Sequence, residues 1–145
     1  MILGVDPGER RVGVALADEE TRFARPLEVI DKRATDPVER IAALVTEHTV
    51  SLVVVGRPLS LSGEAAQAVA DAAPFVASLR EALPVEVVEY DERLTTVIAE
   101  RSLRQGGARR DARKRLRDAV AAQVMLQGYM DARTGRLGER SKGEG

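Results

Sequence analysis

The chain has 145 residues, with 22 basic and 23 acidic side chains, a formal net charge of −1, one histidine and no cysteine. That length makes one domain with a core of ordinary size, and the lack of cysteine excludes disulfides, thiolate metal sites and cysteine nucleophiles. With His48 the single histidine, His-rich zinc chemistry and a Ser-His-Asp triad are poor fits, so catalysis would fall to carboxylates. No apolar run approaches the ~18 residues of a membrane span and no signal segment opens the chain, so the expectation is a soluble cytoplasmic protein with no membrane partner.

Ile2 to Leu16 reads as two short apolar strands joined at Pro7-Gly8. Pro7 biases Asp6 towards an extended conformation, and Gly8 supplies a residue able to take positive φ, as a hairpin turn requires. An acid is thereby fixed at the end of the first strand. With Pro7 to Arg10 as the loop, Gly4 and Gly13 fall roughly opposite each other, a spot free of side chains where a second carboxylate-bearing segment can approach. A third strand, Phe23 to Ile30, belongs near an edge because Pro26 cannot donate to a ladder.

Asp36-Pro37-Val38-Glu39 combines a capping Asp, Pro at the first helical position and Glu three residues after the cap, starting a helix that runs to about His48. Ser51 to Gly56 is a continuous apolar run suited to a central strand covered on both faces. Arg57 to Gly63 reads as a polar loop before an Ala-rich helix, Glu64 to Leu83, that Pro74 should kink or split. Arg57, Ser60 and Ser62 there would suit a phosphate, with Ser62 as a simple N-cap the favoured role.

Pro84 to Tyr90 is a fifth strand delivering Asp91-Glu92-Arg93 to its end, followed by a helix from Leu94 to Gln105 that Gly106-Gly107 stops. A last helix, about Arg115 to Ala132, places Asp118 on the face of Ala121, Ala122 and Met125 by helical spacing. The domain is therefore assigned to residues 1–133 and a Gly-rich charged tail, expected to be disordered, to 134–145. The order of elements predicts an α/β fold: a five-stranded mixed sheet, an antiparallel meander continued by parallel strands, with helices on both faces.

Three acids converge on one end of that sheet: Asp6, then Asp91 or Glu92, then Asp118. Ligands of open α/β sheets gather at strand C-terminal ends. Crowded carboxylates without a counter-charge raise each other's pKa, and a hard divalent cation relieves the repulsion. Two such ions would stabilise the attacking and leaving oxygens of a phosphodiester displacement. The charge is also divided: residues 101–117 carry eight basic side chains against Asp111, a local +7 that leaves about −8 on the rest. An arginine-rich patch on an acidic body points to a polyanion. Against this stand a plain solvated helix end for the basic run, a turn-forming role for Asp6, a non-enzymatic nucleic-acid-binding module, and a sugar-kinase-like ATPase, whose two lobes need a longer chain.

Four segments, taken together, resemble a known family: Gly4-Val5-Asp6-Pro7-Gly8-Glu9-Arg10-Arg11-Val12-Gly13-Val14-Ala15, Val54-Val55-Gly56-Arg57-Pro58-Leu59, Asp91-Glu92-Arg93-Leu94-Thr95-Thr96 and Asp118-Ala119-Val120-Ala121-Ala122. In this order, across about residues 1–131, they look like the bacterial Holliday-junction resolvases also described as pre-16S rRNA nucleases. The resemblance implies an RNase H-like fold, Asp6, Glu92 and Asp118 as metal-binding catalytic acids, and Mg2+ or Mn2+ as cofactor. It also implies trimming of the 5′ end of the 16S rRNA precursor or resolution of branched DNA, by a monomer or a homodimer. Arg10, Arg93, Arg109, Arg110, Arg113 and Lys114 are the expected nucleic-acid contacts. Two positions depart from the family pattern: Ala121 stands where junction resolvases of this fold carry a fourth ligand, and Arg57 stands where an apolar residue is expected.

Overall fold

The computed structural model describes residues 1–57, 64–91 and 120–133. Its elements are β1 (Ile2–Pro7), β2 (Arg11–Ala17), β3 (Ala24–Asp31), α1 (Pro37–Glu47), β4 (Leu52–Arg57), α2 (Glu64–Ala82) and β5 (Glu86–Asp91). A further helix, α3, covers residues 120–133. The strands form one sheet in the order β3-β2-β1-β4-β5. The first three are antiparallel neighbours, while β1, β4 and β5 run parallel. This is the mixed five-stranded sheet that the sequence predicts.

The β1–β2 turn is tighter than its sequence reading. Pro7 still belongs to β1, opposite Val12, and the Gly8 N–H donates to the Arg11 carbonyl at 2.9 Å. A Cβ on Gly8 would lie 2.6 Å from that carbonyl oxygen. Close backbone approach, rather than a left-handed φ, is what demands glycine there. The register also differs from expectation: Gly4 faces Ala15, and Gly13 faces Asp6.

Pro26 sits on the edge strand, where its missing donor costs least, next to a register shift in which Leu27 of β3 is the extra residue opposite the Val14–Ala15 step of β2. The Asp36 carboxylate accepts from the Val38 N–H at 3.1 Å, capping α1, whose Ile41, Leu44 and Val45 are buried. α2 continues unsplit through Pro74. The proline is exposed, so water can satisfy the carbonyl left unbonded one turn back.

Strand alternation separates two cores. Leu3, Val5, Val12, Val14, Val53, Val55 and Val87 pack with Ile41 and Leu44 of α1 and Val76 and Leu79 of α2. On the other face Ile2, Ala15, Ala17, Ala24 and Val54 pack with Ala122, Met125, Leu126 and Met130 of α3. Helices thus cover both faces, and β4, an interior strand between β1 and β5, is buried along its whole length.

Candidate active site

The β1 residues at even positions face α3, since Ile2 joins the α3 core while Leu3 and Val5 join the opposite one. Asp6 follows that alternation. It stands half-buried on the α3 side, one residue short of the strand end. Because β1, β4 and β5 are parallel, their C-terminal ends lie along one edge of the sheet, where Asp6, Arg57 and Asp91 are found.

α3 approaches this region over Gly4. A Cβ there would lie 2.9 Å from the Leu126 Cβ, so the helix seats where β1 has no side chain. The expected docking spot is therefore used, although Gly13 is not Gly4's partner. Two glutamines set the direction of α3. Gln127 donates to the Arg22 carbonyl at 2.9 Å and accepts from the Ala24 N–H at 2.8 Å, while Gln123 donates to the Ala24 carbonyl at 3.2 Å. The helix thus runs against β3, and since β1 runs with β3, against β1 as well. Its N-terminal end points towards the end of the sheet that holds Asp6. Ala122, one turn before Leu126, is about 6 Å nearer that end.

Asp91 is not on the same face as Asp6. It shares the alternation of Val87 and Glu89, which places it on the α1 and α2 side of the sheet. Arg10 is exposed in the β1–β2 turn, at the Asp6 end, and its carbonyl accepts from the Lys32 N–H at 3.0 Å. Glu92, Asp118, Arg93, Arg109, Arg110, Arg113 and Lys114 lie outside the described residues, as do Ser60, Ser62 and the tail. Among the described residues no three metal-ligating side chains gather, Asp6 being the one expected ligand they contain.

Arg57 corrects the sequence reading. It is the last residue of β4 rather than the first of a polar loop, and it is 6% exposed. Its guanidinium donates to Glu89 of β5 at 2.6 Å, and Arg80 of α2 approaches the same carboxylate at 3.8 Å. An arginine where an apolar residue is expected is thus accommodated by an acid two residues before Asp91. A buried charge survives only with such a partner.

One pair escaped sequence reasoning. With two tyrosines and two phenylalanines in the chain, base-stacking platforms look scarce. Yet the rings of Tyr90 and Tyr129 meet edge to face, 5.7 Å between centroids at 87°. Both pack against the α3-side core. The available signal was the strand period, which gives Tyr90 the parity of Val88.

Comparison with known proteins follows the same lines. The family model described as RuvX: Holliday junction resolvase matches residues 1–132. A Chloroflexus aggregans protein named "Putative pre-16S rRNA nuclease" is 45% identical over 133 residues, covering 91% of this chain and 94% of its own. One of the same name from Mycolicibacterium smegmatis is 40% identical over 146 residues, covering 97% and 86%. Among solved structures, T. thermophilus RuvC in complex with Holliday junction substrate superposes with a TM-score of 0.51 at 24% identity, covering 92% of this chain and 95% of that one. The Fowlpox virus resolvase bound to Holliday junction DNA gives 0.52 at 11% identity, covering 90% and 97%. These two likenesses establish the fold, which is RNase H-like.

Proposed function

The chain belongs to the RuvX family of Holliday junction resolvases, and we propose that it is a cytoplasmic, metal-dependent nuclease that hydrolyses phosphodiester bonds in structured nucleic acid, processing the 5′ end of the 16S rRNA precursor. The observation that carries this reading is the placement of Asp6. A carboxylate stands on the α3 face at the C-terminal end of a central strand, with the N-terminal end of α3 directed towards it. The names of the curated relatives support the precursor as substrate.

Asp91 being on the other face from Asp6, we take as second ligand Glu92, the acid that the family resemblance names. Asp118, which the sequence's helical spacing puts on the stripe of Ala122 and Met125, is taken as the third. The donor set is then carboxylate only. His48 caps the C-terminus of α1, whose buried residues belong to the opposite core, so hard oxygen donors fit magnesium or manganese rather than zinc. When bound, such ions stabilise charge on the attacking and leaving oxygens of phosphodiester hydrolysis. The protein's own part is positional. Asp6 is held by the β1 ladder on one side and Pro7 on the other, while Arg10, Arg93, Arg109, Arg110, Arg113 and Lys114 grip the phosphate backbone and leave sequence unread.

The test is cleavage of labelled 16S rRNA precursor with magnesium or manganese. Asp6→Asn should reduce the rate by on the order of 100-fold or more, the scale of losing one electrostatic contact to developing charge, with unfolding behaviour unchanged. Wild-type rates in a folded Asp6→Asn protein would overturn the assignment, and binding without cleavage by the unaltered protein would mark a nucleic-acid-binding module instead. The family description favours a second reading, resolution of branched DNA, which asks for a symmetric dimer presenting two sites. Cleavage of a four-way junction by a dimeric protein that leaves the precursor intact would select it.

A further inference from the structure

The row of the sheet that contains Asp6 reads, across four strands, Gly13, Asp6, Gly56, Tyr90. Gly13 is Asp6's partner on β2, and Gly56 pairs with Tyr90. Asp6 stands beside Gly56, one step past the last bonded pair of β1 and β4, Val5 and Val55. Paired residues share a face, so Tyr90 lies on the same side of the sheet as Asp6, two strand spacings or about 10 Å away. Gly56 between them contributes no side chain. Tyr129 meets Tyr90 from α3, its side chain leaning back towards the helix N-terminus as helical side chains do.

Both tyrosines are half-buried, so each keeps part of its surface in solvent. In an edge-to-face pair the edge-on ring has both of its faces clear of its partner. The other two aromatics stand elsewhere: Phe23 is 75% exposed in the segment between β2 and β3, at the opposite end of the sheet, and Phe75 packs on the α2 side. Every tyrosine of the chain is thus gathered beside the row of the candidate catalytic acid.

We infer that Tyr90 and Tyr129 form a stacking step for one unpaired nucleotide flanking the phosphodiester presented to Asp6, so that the preferred substrate is nucleic acid with a single-stranded segment at the cut. The inference deepens the nuclease reading and rests on it for what arrives at Asp6. A base within a duplex has both faces taken by its neighbours, whereas an unpaired base can lie on an aromatic ring whatever its identity. The distance from Asp6 to Tyr90 is of the order of one nucleotide step beyond the scissile phosphate.

The chain has no tryptophan and two tyrosines, both in this pair, so its tyrosine emission reports on this place alone. Short single-stranded RNA and DNA and a blunt duplex would be titrated into the full-length Asp6→Asn protein. Emission, corrected for nucleotide absorption, is read beside the anisotropy of labelled strands. Single strands should quench the emission by about half or more, with the same midpoint as the anisotropy, and the duplex should leave it nearly unchanged. The RNA and DNA arms show which sugar the step accepts. Tyr129→Leu should weaken single-strand binding about tenfold, leave duplex binding alone, and be rescued by Tyr129→Phe, which keeps the ring. Binding seen by anisotropy with silent tyrosines overturns the stacking step and leaves the nuclease reading intact. No binding to any of the three overturns the stacking step, and the nuclease reading is then decided separately by cleavage of the precursor.

Discussion

Gly4 owes its identity to what lies over it. The Leu126 Cβ, Cγ and Cδ2 would stand 2.9, 3.3 and 3.1 Å from an added Cβ, and the nearest is part of the helix's rigid base, so relief requires α3 to move. Gly4→Ala should therefore destabilise the protein by about 1–3 kcal/mol, the usual cost of overpacking, despite alanine's smaller entropic penalty in a strand. Leu126→Ala alone should cost about 2–5 kcal/mol as a cavity. The double variant should lose less than the sum, because each change makes room for the other. Urea unfolding of the three variants measures this, and strict additivity would mean that the two residues do not touch. The glycine was legible in the sequence as a place for close approach, but its partner was not, since nothing local to β1 says which residue arrives from over a hundred positions away. Arg57 shows the converse. Its chemistry reads as a loop residue, and the β4–β5 register, which sets Asp91 opposite it and Glu89 diagonally across on the same face within reach of its guanidinium, makes a buried strand position tolerable.

At the scale of elements, α1 is tied to the edge strand β3 by a two-pronged ion pair. Arg40 donates through Nε to Glu28 Oε2 at 2.8 Å and through Nη2 to Oε1 at 2.7 Å, with both side chains partly exposed. The hydrogen bonds from Arg40 hold the Glu28 carboxyl below its ordinary pKa, against the opposing effect of burial. A lowered folded-state pKa means that the unfolded chain binds the proton more readily. The stabilisation is therefore complete above the ordinary glutamate pKa and is lost as pH falls through the lowered value. Glu28→Gln should cost about 0.5–1 kcal/mol near neutral pH, no more than a part-exposed pair is worth. The gap between the two proteins should close on acidification, as denaturant midpoints taken down through the acidic range would show. A gap that stays constant would remove the ion pair as its cause. The α1 cap and the order of strands were legible because local chemistry fixes them: Asp36 and Pro37 start a helix wherever they stand, and Pro26 keeps β3 at an edge. Which face each strand residue takes was not, because a period of two needs one anchored position. The face of Asp91 was open until Val87 was placed in the α2-side core.

Over the whole molecule, charge is divided more sharply than the net −1 implies. Residues 101–117 hold +7 and the remainder about −8, so a polyanion is repelled by most of the surface and drawn to one segment. Attraction through few, concentrated cations releases condensed counterions from the nucleic acid, and binding then falls steeply with salt. An acidic body flattens that fall at low ionic strength, where its repulsion reaches furthest and opposes binding most, and it orients the approach. Composition alone revealed this division; where the basic segment meets the sheet it could not reveal, since +7 in sequence carries no direction in space. If Arg109, Arg110, Arg113 and Lys114 each neutralise one phosphate, replacing all four by alanine should lower the slope of log K against log salt by roughly 3 to 4 for either strand type. Affinity should drop alike for all sequences, since phosphate contacts carry no base information. Tyrosine quenching, read at saturating single strand, should survive the change, because it belongs to Tyr90 and Tyr129 on the α3 face. A slope equal to that of the unaltered protein would show that the backbone is held elsewhere, and the exposed turn at Arg10, at the same end of the sheet as Asp6, would be the next cation to replace.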